Sequence, residues 1–281
     1  FCGSLLRPDR TSMVNANQNT AVDTDNAGLQ DFYADKYRNG IADFYSFVKE
    51  GETLGLANGA DWTGLTVLEV GCGEGLLAGM IASAGAARVL GVDFTDVAID
   101  VAKSNNNQDN LEFRNCDYRD VKEKFDVIVM EGVLEHMDDP LAALTYMAEN
   151  QLNRPGHILS SSPSFLNPRG YIWMTLQMLF DIPMSLSDLH FLCPFDYEDF
   201  AKTLRAKVTY KSVDQDWGHG ARTIEDFDKR LRNALRDKGM VGDVDRLLKW
   251  LERTLDYTAP TEFSGANVIY DLEFSTSSKK A

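Results

Sequence analysis

Three glycines at alternate positions are the first residues of this chain whose spacing indicates chemistry. They are Gly71, Gly73 and Gly75, within the run TVLEVGCGEGLLAGMIASAG (66–85). An apolar stretch precedes them and a helix-like apolar pattern follows, so the run predicts a strand, a glycine loop and a helix. Glycine has no Cβ and lets the backbone approach a ligand closely. The pattern therefore predicts a nucleotide-cofactor site.

The residues around this loop decide which nucleotide it suits. A dinucleotide fingerprint, G-x-G-x-x-G/A, needs a small third residue, but Leu76 stands at that position. Glu69 precedes the loop and Glu74 lies within it, so a pyrophosphate would face two carboxylates. S-adenosylmethionine has no phosphate and carries a sulfonium and an ammonium, which acids favour. We therefore predict S-adenosylmethionine as the cofactor, and a nicotinamide dehydrogenase is disfavoured.

Acidic residues also end the next three predicted strands. Asp93 comes about 20 residues after the loop, where a carboxylate can accept hydrogen bonds from both ribose hydroxyls. Asp117, with Tyr118 beside it, could accept from the adenine amino group. Glu131 ends the fourth strand, where the strand order should reverse. Ordinary turn and helix-terminus roles for Asp117 and Glu131 stay open.

Strands and helices alternate from residue 64 onward, which is typical of a parallel sheet with covering helices. Strands are predicted at 67–70, 88–94, 111–117, 125–132, 154–164, 207–213 and 266–274. Helices are predicted at 76–84, after Thr95 as N-cap, after Asp139 as N-cap with Pro140 in the first turn, and at 194–205. These elements predict one α/β domain.

We predict that this single domain takes up most of the chain. A flexible N-terminal arm is expected at 1–27, a single domain at 28–275 and a tail at 276–281. A charge-laced amphipathic stretch at 215–260 is interpreted as a helical insertion before the last strand, because it is too short to form a separate domain.

Composition narrows the function classes. The 281 residues are 44% hydrophobic and 25% charged, with a formal net charge of −15, which argues against a nucleic-acid partner. No apolar run reaches the roughly 18 residues that a membrane span needs. The four cysteines are scattered without a C-x-x-C pair, which favours neither a zinc site nor a disulfide framework. A reducing, cytoplasmic setting is expected.

Together these motifs resemble the class I S-adenosylmethionine-dependent methyltransferases, in their ubiquinone-pathway-like, type 11–12 group. The resemblance covers about residues 66–164, through VLEVGCGEG, VLGVDF, NCDY, FDVIVMEGVLEHMDDP and NRPGHILSSSPS. It implies a Rossmann-like, doubly wound, seven-stranded sheet whose last strand is antiparallel, with a helical arm at the front. The implied cofactor site comprises Tyr33, Tyr37, Glu69, Gly71, Gly73, Gly75, Asp93, Phe94, Asp117, Tyr118 and Glu131.

The LEH run at 134–136 is similar to ubiquinone-pathway O-methyltransferases and small-RNA terminal methyltransferases. Some of these hold a metal with E-x-x-E-H. Glu135 and His136 match that pattern, but its first acidic position is Gly132. Glu131 lies one residue early and would point elsewhere on a helical turn. We therefore predict no metal.

The acceptor side offers few candidate catalytic groups. A hydroxyl or phenol usually needs a general base, whereas an amine has only to arrive neutral. His136, beside the predicted crevice, and His190, in a loop before the next helix, are the candidates, although His136 could instead make a helix-cap bond. The apolar segment 170–186 is interpreted either as an acceptor pocket or as a helix packed on the core or in a dimer contact. Its pocket candidates are Tyr171, Trp173, Met174 and Phe180.

The function predicted from these features is methyl transfer from S-adenosylmethionine to an O or N nucleophile. In-line displacement would give S-adenosylhomocysteine. The acceptor would be a small molecule, which could contain an apolar part. A protein or peptide methyltransferase and a non-catalytic adenosyl-binding subunit are the alternatives. A homodimer stays open.

Overall fold

The computed structural model of the protein describes residues 49–182 and 188–276, in which seven strands form one mixed sheet. The strands are β1 (Thr66–Val70), β2 (Arg88–Asp93), β3 (Leu111–Asn115), β4 (Phe125–Glu131), β5 (Leu152–Pro163), β6 (Lys207–Val213) and β7 (Asn267–Phe274). Their order is β3-β2-β1-β4-β5-β7-β6. Neighbours from β3 to β5 are parallel, and β7 runs antiparallel to both β5 and β6. The predicted Rossmann-like sheet with an antiparallel last strand is confirmed.

Helices follow most strands in the described part of the chain. They are α1 (Lys49–Ala57), α2 (Leu76–Ser83), α3 (Asp96–Asn105), α4 (Pro140–Asn150), α5 (Pro168–Phe180), α6 (Pro194–Leu204), α7 (Gln215–His219), α8 (Ala221–Asp237) and α9 (Val244–Glu252). Short 3-10 turns lie at Tyr118–Asp120, Leu134–His136 and Leu255–Tyr257. None of these helices has the length and apolarity that crossing a membrane requires.

The sheet is buried on both faces because successive strand residues point to opposite sides. Leu68 of β1 packs with residues of α4 and α6, such as Leu144 and Tyr197. Its neighbour Val67 packs on the other face, with residues of α1, α2 and α3 such as Ile81. This explains why the strands read as nearly continuous apolar runs.

Local capping accounts for the element boundaries. Asp139 caps α4 by accepting from the Ala142 backbone N–H, with Pro140 in the first turn, as predicted. Thr95 is the N-cap residue of α3, but its side chain makes no cap hydrogen bond. The third strand ends at Asn115, earlier than predicted, because Asp117 begins a 3-10 turn by accepting from the Arg119 N–H.

The helices between β6 and β7 pack against α5 and form a third apolar cluster. Trp173 of α5 is 1% exposed and stacks on Phe227 of α8, with ring centroids 5.7 Å apart. Val244 and Leu251 of α9 belong to the same cluster. Tyr171, in contrast, is 58% exposed. The core alternative is therefore correct for Trp173, which is not an acceptor-pocket wall.

Replacing Trp173 with Ala should destabilise the protein strongly. A cavity of this kind costs about 3–5 kcal/mol of unfolding free energy, so the melting temperature should fall by many degrees. Tyr171→Ala, on the exposed side of the same helix, is the matched control and should melt like the wild type. Equal melting temperatures for the two variants would contradict the core role of Trp173.

Candidate functional site

The carboxyl ends of β1 and β4 border the crevice where the strand order reverses. β1 pairs with β2 on one side and with β4 on the other. In open α/β sheets, ligands bind outside this point. The loop of Gly71 to Gly75 follows β1, Asp93 ends β2 and Glu131 ends β4, so the structure brings these predicted residues to one edge.

The glycine loop has a backbone conformation that other residues could adopt only with strain. Gly71, Gly73 and Gly75 have φ values of 73°, 49° and 78°, in the left-handed region that favours glycine. A Cβ added to Gly71 would lie 2.6 Å from Cγ2 of Val133, which follows β4. One added to Gly75 would lie 2.5 Å from Cζ of Phe113. The loop therefore packs directly against its neighbours through its backbone.

Asp93 ties this loop to the end of β2. Its Oδ2 accepts from the Gly73 N–H at 3.1 Å and its Oδ1 accepts from the Thr95 N–H at 2.8 Å. The side chain is 6% exposed, and burial raises its pKa although the backbone donors oppose that shift. Each carboxylate oxygen has a further lone pair. Asp93 can thus hold the loop and still accept from ribose hydroxyls.

Glu69 lies buried beneath the same loop. It is 2% exposed and accepts from the Ala78 N–H in the first turn of α2. Its Oε2 has no hydrogen-bond partner among the described residues. Burial and then the charge of Glu131 raise its pKa well above the ordinary value. A buried acceptor of this kind fits the cationic methionine end of S-adenosylmethionine.

Asp117 and Tyr118, the adenine-side candidates, have partners within the protein. Asp117 holds Arg119 with two contacts, Nε to Oδ1 at 2.8 Å and Nη2 to Oδ2 at 2.7 Å, and this pairing lowers its pKa. Asp117 therefore has the turn-forming role that the sequence analysis left open. Tyr118 packs edge-to-face on Tyr146 with centroids 5.9 Å apart, and Phe94 is 36% exposed at the end of β2.

Two candidates cannot be placed. Tyr33 and Tyr37, expected to close over the methionine end, lie outside the described residues.

Both candidate histidines lie in one corner beyond β4. His136 Nδ1 is 3.6 Å from Asp188 Oδ1, and its side chain is 15% exposed. His190 Nε2 is 3.1 Å from the carbonyl oxygen of Asp138. The His190 backbone N–H donates to the Glu135 carbonyl at 3.1 Å. The structure therefore joins the two segments that sequence reasoning treated separately.

Two glutamates at this corner were not among the predicted site residues. Glu135 is 3% exposed, and burial together with the charge of Asp188 raises its pKa to about 8. Glu52 of α1 reaches the same region, where burial and then the charge of Glu131 raise its pKa. The Thr53 hydroxyl donates to Glu131 Oε1 at 2.5 Å. Helix α1 therefore covers the end of β4.

A run of buried serines on β5 supports these acids. Ser161 hydrogen-bonds Glu52, and its Oγ also accepts from the Gly132 N–H at 3.2 Å. Ser162 hydrogen-bonds Glu135. Three consecutive serines at 160–162, directly after the buried Ile158 and Leu159, are a sequence signal that could have located this network.

A separate cavity lies away from this crevice, at the opposite ends of the strands. It has a volume of about 790 Å³ and an open mouth, and Asp126, His157 and Asp271 line part of it. Its polar groups bond one another: Asp126 accepts from Thr66 and Asn153, and His157 Nδ1 is 2.9 Å from Asp271. These satisfied groups favour a structural role.

No group of three or more His, Cys, Asp or Glu side chains in the described ranges has a metal-binding arrangement.

The fold and the crevice define a nucleotide-cofactor protein of the α/β class, and sequence comparison specifies it further. A family model described as "Methyltransferase domain" matches residues 62–233, more than half of the chain. The chain belongs to this family of class I S-adenosylmethionine-dependent methyltransferases, and the expected cofactor is confirmed with it.

Individual relatives match over shorter ranges. A ubiquinone biosynthesis O-methyltransferase of Ruegeria sp. is 36% identical over 124 residues, 41% of this chain and 48% of that protein. A ribosomal protein L11 methyltransferase of Lactobacillus johnsonii is 38% identical over 106 residues, 36% of this chain and 32% of that protein. The chain thus spans about half or less of the length of these relatives.

Solved structures share the fold at low sequence identity. One is the complex between the Haloferax volcanii Trm112 methyltransferase activator and a methyltransferase, with a TM-score of 0.57 and 16% identity. The match covers 88% of this chain and 98% of that one.

Gly71→Ala should abolish or strongly weaken cofactor binding. Gly64 provides a matched control, because its φ of 75° is similar but a Cβ there would meet nothing within 4 Å. Both variants should lose about 1–2 kcal/mol of stability through left-handed strain. Only Gly71→Ala should also lose S-adenosylhomocysteine affinity, by at least tenfold in calorimetry. Equal affinity in both variants would show that contact with Val133 is unimportant.

Glu135→Gln should stabilise the protein in a pH-dependent way. The folded pKa of about 8 lies above the ordinary 4.5, so the folded state holds this proton more tightly. The stability that this proton gives the folded wild type is complete below about pH 4.5 and is lost as the pH rises toward 8. The melting temperature of the variant, relative to wild type, should therefore increase between pH 5 and pH 8 and level off above.

The control for this series is Glu225→Gln, on the exposed surface of α8. Its melting temperature should stay at a constant difference from wild type throughout. A constant difference for Glu135→Gln as well would rule out a raised pKa.

Proposed function

We propose that this protein transfers the methyl group of S-adenosylmethionine to an oxygen or nitrogen nucleophile of a small-molecule acceptor. The observation that supports this best is the backbone of the Gly71 loop, held by Asp93 and packed on Val133 at the strand switch point. The family assignment supports the reaction class. S-adenosylmethionine supplies a methyl group already activated on a sulfonium, so the protein has chiefly to align the acceptor and exclude water.

The cofactor-binding roles follow from the residue chemistry. We propose that Glu69 accepts from the ammonium group and Asp93 from the ribose hydroxyls. Phe94 and Tyr118 would cover the adenine ring. Asp117 would accept from the adenine amino group while it keeps Arg119 as a second partner.

His136 and His190 are proposed to act on the acceptor. The closeness of His136 Nδ1 to Asp188 favours a proton on Nδ1, which leaves Nε2 as the basic atom. The hydrogen bond of His190 Nε2 to a carbonyl oxygen requires a proton there and leaves Nδ1 as the acceptor. Either ring could therefore take a proton from a hydroxyl.

The cellular setting is a further part of the proposal. Cys72, Cys116 and Cys193 are free thiols, which supports a reducing, cytoplasmic location. The exposed Leu179 and Phe180 at the end of α5 support a homodimer contact. Light scattering should then give twice the chain mass.

Calorimetry, followed by a methyl-transfer assay, tests the proposed function. S-adenosylhomocysteine should bind and NAD should not. Asp93→Ala should weaken S-adenosylhomocysteine by at least tenfold, since charge-assisted hydrogen bonds contribute about 1.5–3 kcal/mol each. Labelled methyl groups should then pass to members of a metabolite panel without added metal and in the presence of a chelator.

Three outcomes would count against the proposal. Binding of NAD in preference to S-adenosylhomocysteine would indicate a nicotinamide dehydrogenase instead of a methyltransferase. Transfer to ribosomal or other protein substrates alone would favour the protein methyltransferase alternative. Binding without any transfer would favour a non-catalytic subunit.

A further inference from the structure

Two segments that are far apart in the chain are bonded to each other at the corner beyond β4. The carbonyl oxygen of Glu135 accepts from the backbone N–H of Leu189 at 2.8 Å and from that of His190 at 3.1 Å. In the other direction, His190 Nε2 donates to the carbonyl oxygen of Asp138 at 3.1 Å. These hydrogen bonds hold the segment before α6 against the segment after β4.

This attachment also places a carboxylate beside one of the candidate bases. Asp188 comes directly before Leu189, is 6% exposed, and has its Oδ1 3.6 Å from His136 Nδ1. His136 itself follows Glu135 in the 3-10 turn Leu134–His136. The separation of the acid and the imidazole therefore depends on how this turn is oriented.

The side chain of Glu135 fixes the orientation of the turn. It is 3% exposed, and its carboxyl group hydrogen-bonds Ser162 of β5. Ser162 Oγ lies 3.2 Å from the hydroxyl oxygen of Tyr197, which lies 2.9 Å from Ser160 Oγ. Hydroxyl groups both donate and accept, so this chain can bond the carboxyl group in either protonation state. Glu135 is thus anchored to β5 and α6.

The phenol in this chain has a close counterpart outside it. Tyr197 stacks on Tyr270 of β7, with ring centroids 3.5 Å apart and an angle of 5° between the planes. Both residues are 0% exposed. The hydroxyl group of Tyr270, however, has no hydrogen-bond partner among the described residues. The pair therefore offers two equally buried phenols, of which only Tyr197 bonds the serine that reaches Glu135.

The protonation of Glu135 is compatible with a carboxylate next to it. Burial and then the charge of Asp188 raise the pKa of Glu135 to about 8, so at neutral pH this group is mostly uncharged. An uncharged Glu135 adds no second negative charge, and the carboxylate of Asp188 can lie close to His136 without repulsion from it.

We infer that Glu135 is a positioning residue that holds Asp188 against His136. Its carboxyl group fixes the turn through Ser162, and its carbonyl oxygen fixes the segment that begins with Asp188. This inference rests on the proposed function, in which His136 takes a proton from the acceptor. The held carboxylate keeps the proton of His136 on Nδ1, which leaves Nε2 as the basic atom. Glu135 acts through other residues and needs no contact with acceptor or cofactor.

The tautomer of His136 reports this positioning without any acceptor. In protein with isotopically labelled histidine, NMR nitrogen shifts distinguish the Nδ1–H form from the Nε2–H form, and a His136→Asn spectrum assigns the signal. The wild type should show the Nδ1–H form. Glu135→Ala should lower the ratio of Nδ1–H to Nε2–H by about tenfold or more, because a hydrogen bond to a charged group is lost.

Two variants remove only hydroxyl groups of the chain, so they test the same link with less risk to folding. Ser162→Ala should shift the tautomer of His136 in the same direction as Glu135→Ala. Tyr197→Phe should shift it in that direction by a smaller amount, because Ser162 remains. Thermal melting and S-adenosylhomocysteine affinity, measured on each variant, should show a folded protein with affinity within about twofold of wild type.

Each of these variants has a matched control. Ser164→Ala also removes a buried serine hydroxyl near the end of β5, but this one donates to the carbonyl oxygen of Phe263. Tyr270→Phe removes the phenol that lies outside the chain. Neither control should change the tautomer of His136.

Turnover gives a second readout once the metabolite panel has supplied an acceptor. General base catalysis contributes about 10²–10⁴-fold, so Glu135→Ala should lower kcat by at least about tenfold while KM stays within about twofold. Glu135→Gln keeps the side-chain length and can still bond Ser162, so it should restore the wild-type tautomer and most of the turnover.

An unchanged tautomer of His136 in Glu135→Ala, or in Ser162→Ala if the first variant does not fold, would overturn the inference. An equal shift in Ser164→Ala or Tyr270→Phe would also overturn it, since general destabilisation would then explain the effect. Failure of the wild type to bind S-adenosylhomocysteine would instead show that the proposed function is wrong. The tautomer measurements would still decide the positioning role.

Discussion

A single buried carboxylate, that of Asp93, joins the two segments that form the cofactor edge of this protein. It accepts one backbone N–H from the glycine loop and one from the start of α3. Both donors lie near helix N-termini, where intrahelical partners are lacking. With the loop fixed in this way, Gly71 packs on Val133, and no larger residue fits there. The contact between the glycine loop and the residue after β4 therefore depends on this interaction.

The site accumulates buried acids at a cost to stability. Glu52, Glu69 and Glu135 all have raised pKa values, mainly because burial disfavours their ionised forms. Serine hydroxyls of β5 and a backbone N–H of α2 provide part of the compensation. Groups that destabilise a fold and lie at one edge of it are typical of binding and catalytic sites.

The remainder of the architecture packs around this edge. Two apolar clusters cover the faces of the sheet, and a third fastens α8 and α9 to α5 through Trp173. Tyr197 of α6 stacks on Tyr270 of β7 and bonds Ser160 beneath the acids. The corner that holds His136 and His190 is thus supported from β5, α6 and β7 together.

The strands, the glycine loop and the acids at the strand ends, such as Asp93 and Glu131, could be predicted from local sequence patterns. These features depend on short-range periodicity and on residues adjacent to one another in the chain. Only packing between distant elements brings Glu52 close to Glu131 and places Trp173 in an apolar core. Those contacts join elements far apart in the chain, and packing of α1, α5 and α8 fixes them. Local patterns contain no information about which distant face a helix will cover, which is why the position of Glu52 at this edge was not predicted.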